Sequence, residues 1–287
     1  MTALTCSVHV IGATGRTGAA LCRRLVAAGV PMVAVVRNPA KWAAFGLDAP
    51  ALAADAADLS ALRGALAGAS RVVSTVHANF THNILQAAPQ ARLVLMGSTR
   101  IYSKWRDAHG QAVAAAEAAL LASRANGVML HPTMIYGDPM DATVQRLAAL
   151  LRRWRIIPLP GFGASLVQPI HQTDVAGALH AALDIDWQGP HAMVIAGPTA
   201  LPYRKFVRAV AAACGSRTPI ILPLPAFLLF VIARLPFMPA IRADEIRRLL
   251  EDKDFDISGM QRILGVQPMP LEQGLACSFA AAHKQLP

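Results

Sequence analysis

Cysteine is scarce in this 287-residue chain, and its spacing does not suit a metal. Cys6, Cys22, Cys214 and Cys277 stand far apart, with no CxxC pair among them. That excludes a zinc ribbon and a disulfide framework. Cys6 falls in a strand-like stretch and Cys22 in a helix-like one, so buried thiols are expected. Charged residues are also few, 15% against 54% hydrophobic, which suits a large core and excludes a disordered chain. There is no internal repeat and no low-complexity run. Acidic residues are the scarcer charge, 17 against 27 basic, for a net charge of +10. Only five of the basic residues are Lys. No dense basic block is interleaved with aromatics, so a nucleic-acid partner is not expected. The arginines suit small anionic ligands such as phosphates.

No apolar run reaches the ~20 residues that cross a bilayer. The most apolar stretch, Pro219 to Ile241, is cut by prolines and by Arg234. It reads as a core helix closing a second lobe. Peripheral membrane contact, or a wall for a lipid-like substrate, is the other option. The opening MTALTCSVHVIGATG has no basic segment followed by a long apolar one, so a cytoplasmic location is expected.

What is present begins with SVHVIGATGRTGAALCRRLVAAG. Ser7 to Ile11 is a short β-branched run, read as a buried strand. Gly12, Gly15 and Gly18 follow, with Thr14, Arg16 and Thr17 between them. Ala19 to Ala28 then has helical periodicity and stops at Gly29, a plausible cap. Strand, glycine turn and helix are what a dinucleotide site requires. The glycines admit a pyrophosphate to the backbone, and the helix start offers free N–H groups. The second strand, PMVAVVRNPAKW, ends in Arg37 where sites for a non-phosphorylated cofactor usually carry an acid. A cation there suits a 2′-phosphate, and Arg16 can reach the same group, so NADP is expected over NAD.

Strand and helix then alternate for about 140 residues, which means a doubly wound parallel sheet, the Rossmann arrangement. Ligands bind such sheets at the carboxyl ends of the strands. The motifs GATGRTG, the turn at Asp55 and Ala56, LVLMGSTRIY, Glu117, HPTMIYG and QPIHQTDVAGAL all reach that edge. Together they resemble the short-chain dehydrogenase/reductase superfamily in its extended branch of NAD-dependent epimerases and dehydratases. The glycine turn and basic second strand are also similar to NmrA-like redox sensors. The resemblance covers about the whole chain. It implies an NAD(P)-binding core over roughly residues 1–155 and a smaller substrate lobe over 156–287 that returns elements to the core. It also implies that Asp55 and Ala56 lie near the adenine, and that Pro132, Thr133 and Ile135 lie along the nicotinamide.

Active relatives keep a Tyr and a Lys four residues apart on one helix face, for proton transfer and ribose binding. This chain has three tyrosines, and four residues beyond Tyr102, Tyr136 and Tyr203 stand Arg106, Met140 and Val207. If Glu117 is the acid that follows the family's Lys, His109 takes the Tyr position and Val113 the Lys position. Ser98 matches the upstream hydroxyl that polarises the substrate oxygen. Tyr102 with Lys104, leaving the same strand end as Ser98, are candidates for the missing pair. His109 is a second candidate, and no side-chain acid at all is a third. His131 stands where the family usually has Arg, which puts the anchoring of that loop in question. In the second lobe, Arg152 and Arg153 could meet a diphosphate, and Thr173 or Asp174 is expected to cap a helix.

The resemblance thus implies an oxidoreductase or epimerase acting on a nucleotide sugar or a related hydroxyl or carbonyl compound. Two alternatives stay open: an NADP-binding regulator without turnover, and an accessory subunit that holds its cofactor structurally. Oligomeric state is not legible in the sequence.

Overall fold

The structure is a computed structural model that describes residues 7–138, 142–225, 228 and 247–283. Cys6 and all of the apolar stretch after Pro225 except Leu228 lie outside the described residues. Seven parallel strands form the central sheet: β1 (Val8–Ile11), β2 (Met32–Val36), β3 (Ala51–Ala53), β4 (Arg71–Ser74), β5 (Arg92–Met96), β6 (Gly127–Pro132) and, well after the others, β11 (Pro190–Ile195). Their order is β11-β6-β5-β4-β1-β2-β3. Every residue of β1, β2 and β6 is buried. Strands buried along their whole length, with no alternation, belong to a sheet covered on both faces.

Helices α1 (Arg16–Ala27) and α7 (Gln172–Leu183) cover one face. There Leu21, Cys22 and Leu25 pack with Val175 and Leu179 over Val10 and Ala34. Cys22 is fully buried. The other face is covered by α3 (Leu59–Ala65), α4 (Thr81–Ala87) and α5 (Ala108–Ala122), through Leu62, Ile84, Val113 and Leu120. A short α2 (Pro39–Ala43) follows β2. The strand order reverses between β1 and β4, and ligands of doubly wound sheets bind in the crevice outside such a switch point.

The second lobe has its own core. It joins β7 (Ile135–Tyr136), α6 (Ala142–Arg153), β8 (Ile156–Pro160), β9 (Leu166–Val167), β10 (Ile170–His171), β12 (Leu201–Pro202), α8 (Tyr203–Ala213) and β13 (Ile220–Leu224). Of the tail, α9 (Ser258–Leu264) packs with the sheet and α10 (Leu271–His283) with the lobe. Ala148, Ile157, Phe206, Val210 and Leu275 make the lobe's interior.

Two local expectations are corrected. Helix α7 begins at Gln172, and its cap is His171, whose Nδ1 accepts the Thr173 N–H at 3.3 Å. The imidazole at the end of β10 takes the capping position, and Asp174 instead accepts the Met269 N–H at 2.9 Å. The start of the apolar stretch is not helical. Ile220–Leu224 is a strand paired in parallel with β8. Pro219 and Pro223 deny it a helix interior, and its β-branched residues suit an edge strand.

Candidate nucleotide and active site

The glycine turn joins β1 to α1. Gly12 has φ +83, and a Cβ there would lie 2.8 Å from Val76 Cγ1. Gly18, in the first turn of α1, is pressed onto that turn. A Cβ on it would lie 2.1 Å from the Gly12 carbonyl oxygen. The Thr75 hydroxyl, at the end of β4, ties the turn down by donating to the carbonyls of Ile11 and Gly12, at 3.2 and 3.3 Å. Helix α1 starts at Gly15 with no side-chain cap and no acidic residue in its first turn. A helix start of this kind turns its positive dipole end toward an anion, which fits a pyrophosphate. Gly15 and Arg16 are exposed at this point, Thr14 is half-buried and Thr17 is buried.

Arg37 follows β2 and is exposed at the same carboxyl edge, while Asn38 turns aside to cap α2 at the Lys41 N–H. Asp55, one strand further out, accepts the Ala57 N–H at 2.9 Å, and Ala56 is buried beside it. The Ala56 carbonyl accepts from Asn83 Nδ2 at 2.9 Å, which fixes the turn against α4.

At the end of β5 the chain forms a 3-10 turn, Thr99–Tyr102. Ser98 caps it, Oγ accepting the Arg100 N–H at 3.3 Å. The Ser98 backbone N–H donates to His131 Nδ1 at 3.2 Å, and His131 Nε2 lies 2.6 Å from Glu117 Oε2. His131 is fully buried, and burial holds its pKa below the usual imidazole value against the opposing pull of Glu117. With Nδ1 accepting, Nε2 carries the proton and donates to the carboxylate. His131 is thus a neutral bridge from α5 to the Ser98 loop, and it supplies the anchor in question at the place of the family's Arg. Gly97 makes room for this ring, since a Cβ there would lie 2.4 Å from His131 Nδ1.

Tyr102 is half-exposed, its ring edge-on to His131 at 6.0 Å and tilted against Phe255 at 5.8 Å. Burial, and then the Glu117 carboxylate, raise its pKa, so the phenol keeps its proton. Lys104 is exposed, and its backbone N–H donates to Glu251 Oε1 at 2.6 Å. The other oxygen of Glu251 accepts from Ser103 Oγ at 2.8 Å. A segment near the C-terminus thereby holds the loop that carries Tyr102 and Lys104.

On α5, Val113 is fully buried in the core and His109 is half-buried at the first turn. His109 Nδ1 lies 2.8 Å from His77 Nε2. His77 Nδ1 accepts the Asn79 N–H at 3.3 Å, so its Nε2 donates to His109. Burial, then Arg100 and His77, lower the His109 pKa, and the ring is neutral. Asp107 caps α5 at the Gly110 N–H and pairs with Arg100 and Arg248 at 3.0 and 3.1 Å. Burial raises its pKa, but that N–H and the two guanidiniums outweigh it and hold the carboxyl low.

Pro132 ends β6, and its carbonyl accepts from Thr99 Oγ1 at 3.2 Å. Thr133 is buried and donates its hydroxyl to the Gln168 carbonyl. Ile135 sits on β7, opposite Ile170 of β10. The sheet thus brings the glycine turn, Arg37, Asp55 and Ser98 to one edge. His77, Glu251 and the His131–Glu117 bridge also belong to this edge or its support. Sequence reasoning missed the roles of His77 and Glu251, because each acts on a residue far along the chain. Glu117 and His131 carried a signal only as positions in the family pattern.

A reversal of strand order beside β1, an uncapped helix start and a glycine cradle are the features of a dinucleotide-binding α/β protein. Residues 12–153 match the family model described as NAD(P)H-binding. Solved structures share the fold along nearly the whole chain. MoeE5 in complex with UDP-glucose and NAD matches with a TM-score of 0.74 at 21% identity, covering 98% of this chain and 100% of that one. A UDP-glucose 4-epimerase from Thermotoga maritima with UDP-glucose matches at 0.76 and 15% identity, covering 98% and 100%. An NADPH-dependent quinone oxidoreductase from Escherichia coli, complexed with NADPH, matches at 0.76 and 18%, covering 95% and 99%. A search of curated protein sequences finds no match. No described helix is long and apolar enough to cross a membrane.

Proposed function

We propose that this chain is an NADP-preferring oxidoreductase or epimerase acting on a nucleotide sugar or a related carbonyl or hydroxyl compound. The observation that carries the reading is Ser98, held by the buried His131–Glu117 bridge at the sheet edge that also presents the glycine turn. The cradle and the open helix start fit a pyrophosphate, and Arg37 and Arg16 fit a 2′-phosphate. A bound nicotinamide supplies the hydride chemistry. Ser98 Oγ already accepts from Arg100, so its own proton is left to polarise a substrate oxygen. Tyr102, which its surroundings keep protonated, is the candidate proton donor to the substrate oxygen. Lys104, exposed two residues on, offers a charge to a phosphate. Nucleotide sugars enter this reading through the ligands named for MoeE5 and the epimerase.

A second reading is cofactor binding without turnover, as in a regulator or an accessory subunit. It is favoured by Val113, which places a core side chain where active relatives keep a Lys. Fluorescence titration with NADPH and NADH, followed by turnover on nucleotide sugars, quinones and simple ketones, separates the two. We expect NADPH to bind the more tightly, and Arg37→Ala to weaken it by about tenfold, the worth of one charge-assisted bond. NADH binding should change little. Substrate-dependent oxidation that falls in Ser98→Ala and Tyr102→Phe supports the enzyme. Binding without oxidation across the panel supports the second reading. Failure to bind either cofactor overturns both.

A further inference from the structure

The net charge of the chain is not spread evenly. Residues 142–173 and 187–243 carry four and six Lys or Arg and no Asp or Glu, together the whole +10. Within these stretches β8 and β13 form a two-stranded parallel sheet with Ile156 opposite Ile220 and Pro158 opposite Leu222. One face of it, Ile157, Leu159 and Ile221, lies in the lobe's core. The other face leaves Ile156, Ile220 and Leu222 exposed by 53%, 53% and 46%. Trp154, next in line at the end of α6, is 52% exposed, with the Arg153 guanidinium 5.9 Å from its ring centre. Arg152 and Arg155 are exposed on either side. Single exposed apolar residues are ordinary on a protein surface. A continuous aliphatic face edged by a tryptophan and three arginines, with no carboxylate in the surrounding sequence, is not.

We propose that this outer face of the β8–β13 sheet docks on an anionic lipid surface. Aliphatic side chains with a tryptophan at their border suit the boundary between headgroups and acyl chains. The flanking arginines suit negative headgroups. The two stretches that form the sheet contribute no acid to repel an anionic membrane. The lobe would be held to the membrane from outside, without a span.

The test uses the full chain carrying Trp105→Phe, since Trp42 and Trp187 are buried and Trp154 then reports alone among the exposed tryptophans. Sedimentation with phosphatidylglycerol–phosphatidylcholine vesicles is compared with pure phosphatidylcholine. We expect binding to the anionic vesicles that falls with salt, a blue shift of Trp154 emission, and quenching by brominated lipid. The charge reversal R152E/R153E/R155E should lower vesicle binding at least about tenfold, given the attraction each cation feels near such a surface. I220S/L222S should abolish the blue shift. Circular dichroism melting separates an unfolded variant from a non-binding one, and quenching in the parent chain does not depend on any variant at this face. No sedimentation with anionic vesicles overturns the proposal. Sedimentation without a change at Trp154, or unaffected by the charge reversal, overturns it equally.

Discussion

Replacing Glu117 by Gln tests whether His131 is neutral. In the neutral arrangement the buried Nε2–H donates 2.6 Å to the Glu117 carboxylate, and Nδ1 accepts from Ser98. A Gln at 117 still offers an acceptor oxygen. What is lost is the extra strength of a charge-assisted bond over a neutral one, about 1 kcal/mol. The Glu117 side chain is 20% exposed, so water can compensate part of that. In a chain of this size about 1 kcal/mol moves the melting temperature by roughly 2 °C. If His131 were instead an imidazolium, removing the carboxylate would strand a buried cation at a cost of roughly 3–5 kcal/mol. Urea denaturation of the parent chain and the Gln variant at neutral pH distinguishes the two. Glu117→Ala, which leaves the N–H with no acceptor there, should cost more than Gln, up to about 3 kcal/mol. A loss of roughly 3 kcal/mol or more in Glu117→Gln would refute the neutral bridge.

Gly18→Ala should abolish nucleotide binding and destabilise the fold by about 1–3 kcal/mol, because its Cβ would lie 2.1 Å from the Gly12 carbonyl oxygen. Calorimetry and a melting curve check this, and a variant that binds normally contradicts the packing given to the glycine turn. The chain should also lose stability in mild acid, above the range where carboxylates titrate. His9, His109, His131, His171 and His180 all have pKa values lowered by burial from 6.5. The unfolded chain therefore takes up these protons first. Stability is full above the unfolded value and is lost as pH falls through it, by up to roughly 1.4 kcal/mol per pH unit for each imidazole still neutral in the folded state. Urea midpoints between about pH 7 and 5 measure this, and a flat profile would show that these rings charge as easily folded as unfolded.

The parallel sheet was legible in the sequence because its signals are local. Unbroken apolar strands, three glycines at fixed spacing and a helix ending at Gly29 each depend on neighbours a few residues away. The missing Tyr-xxx-Lys was legible for the same reason, since three tyrosines can be checked one by one. The cap of α7 lies two or three residues before Thr173 and Asp174, because a histidine cap competes with Thr and Asp only when the ring is turned to the helix. Ile220–Leu224 looked like part of a helix until β8 supplied a partner, and strand pairing is a long-range property.

The sequence by itself determined the class of fold, the glycine cradle and the candidate cation for a 2′-phosphate, all carried by short-range pattern. Only the tertiary structure decided what supports Ser98 and Tyr102. His131 reaches Ser98 across 33 positions, His77 reaches His109 across 32, and Glu251 reaches Lys104 across 147. Contacts of that span leave no period or spacing to read. They exist only once the sheet has brought its carboxyl ends to one edge and the C-terminal segment has returned to hold the loop there.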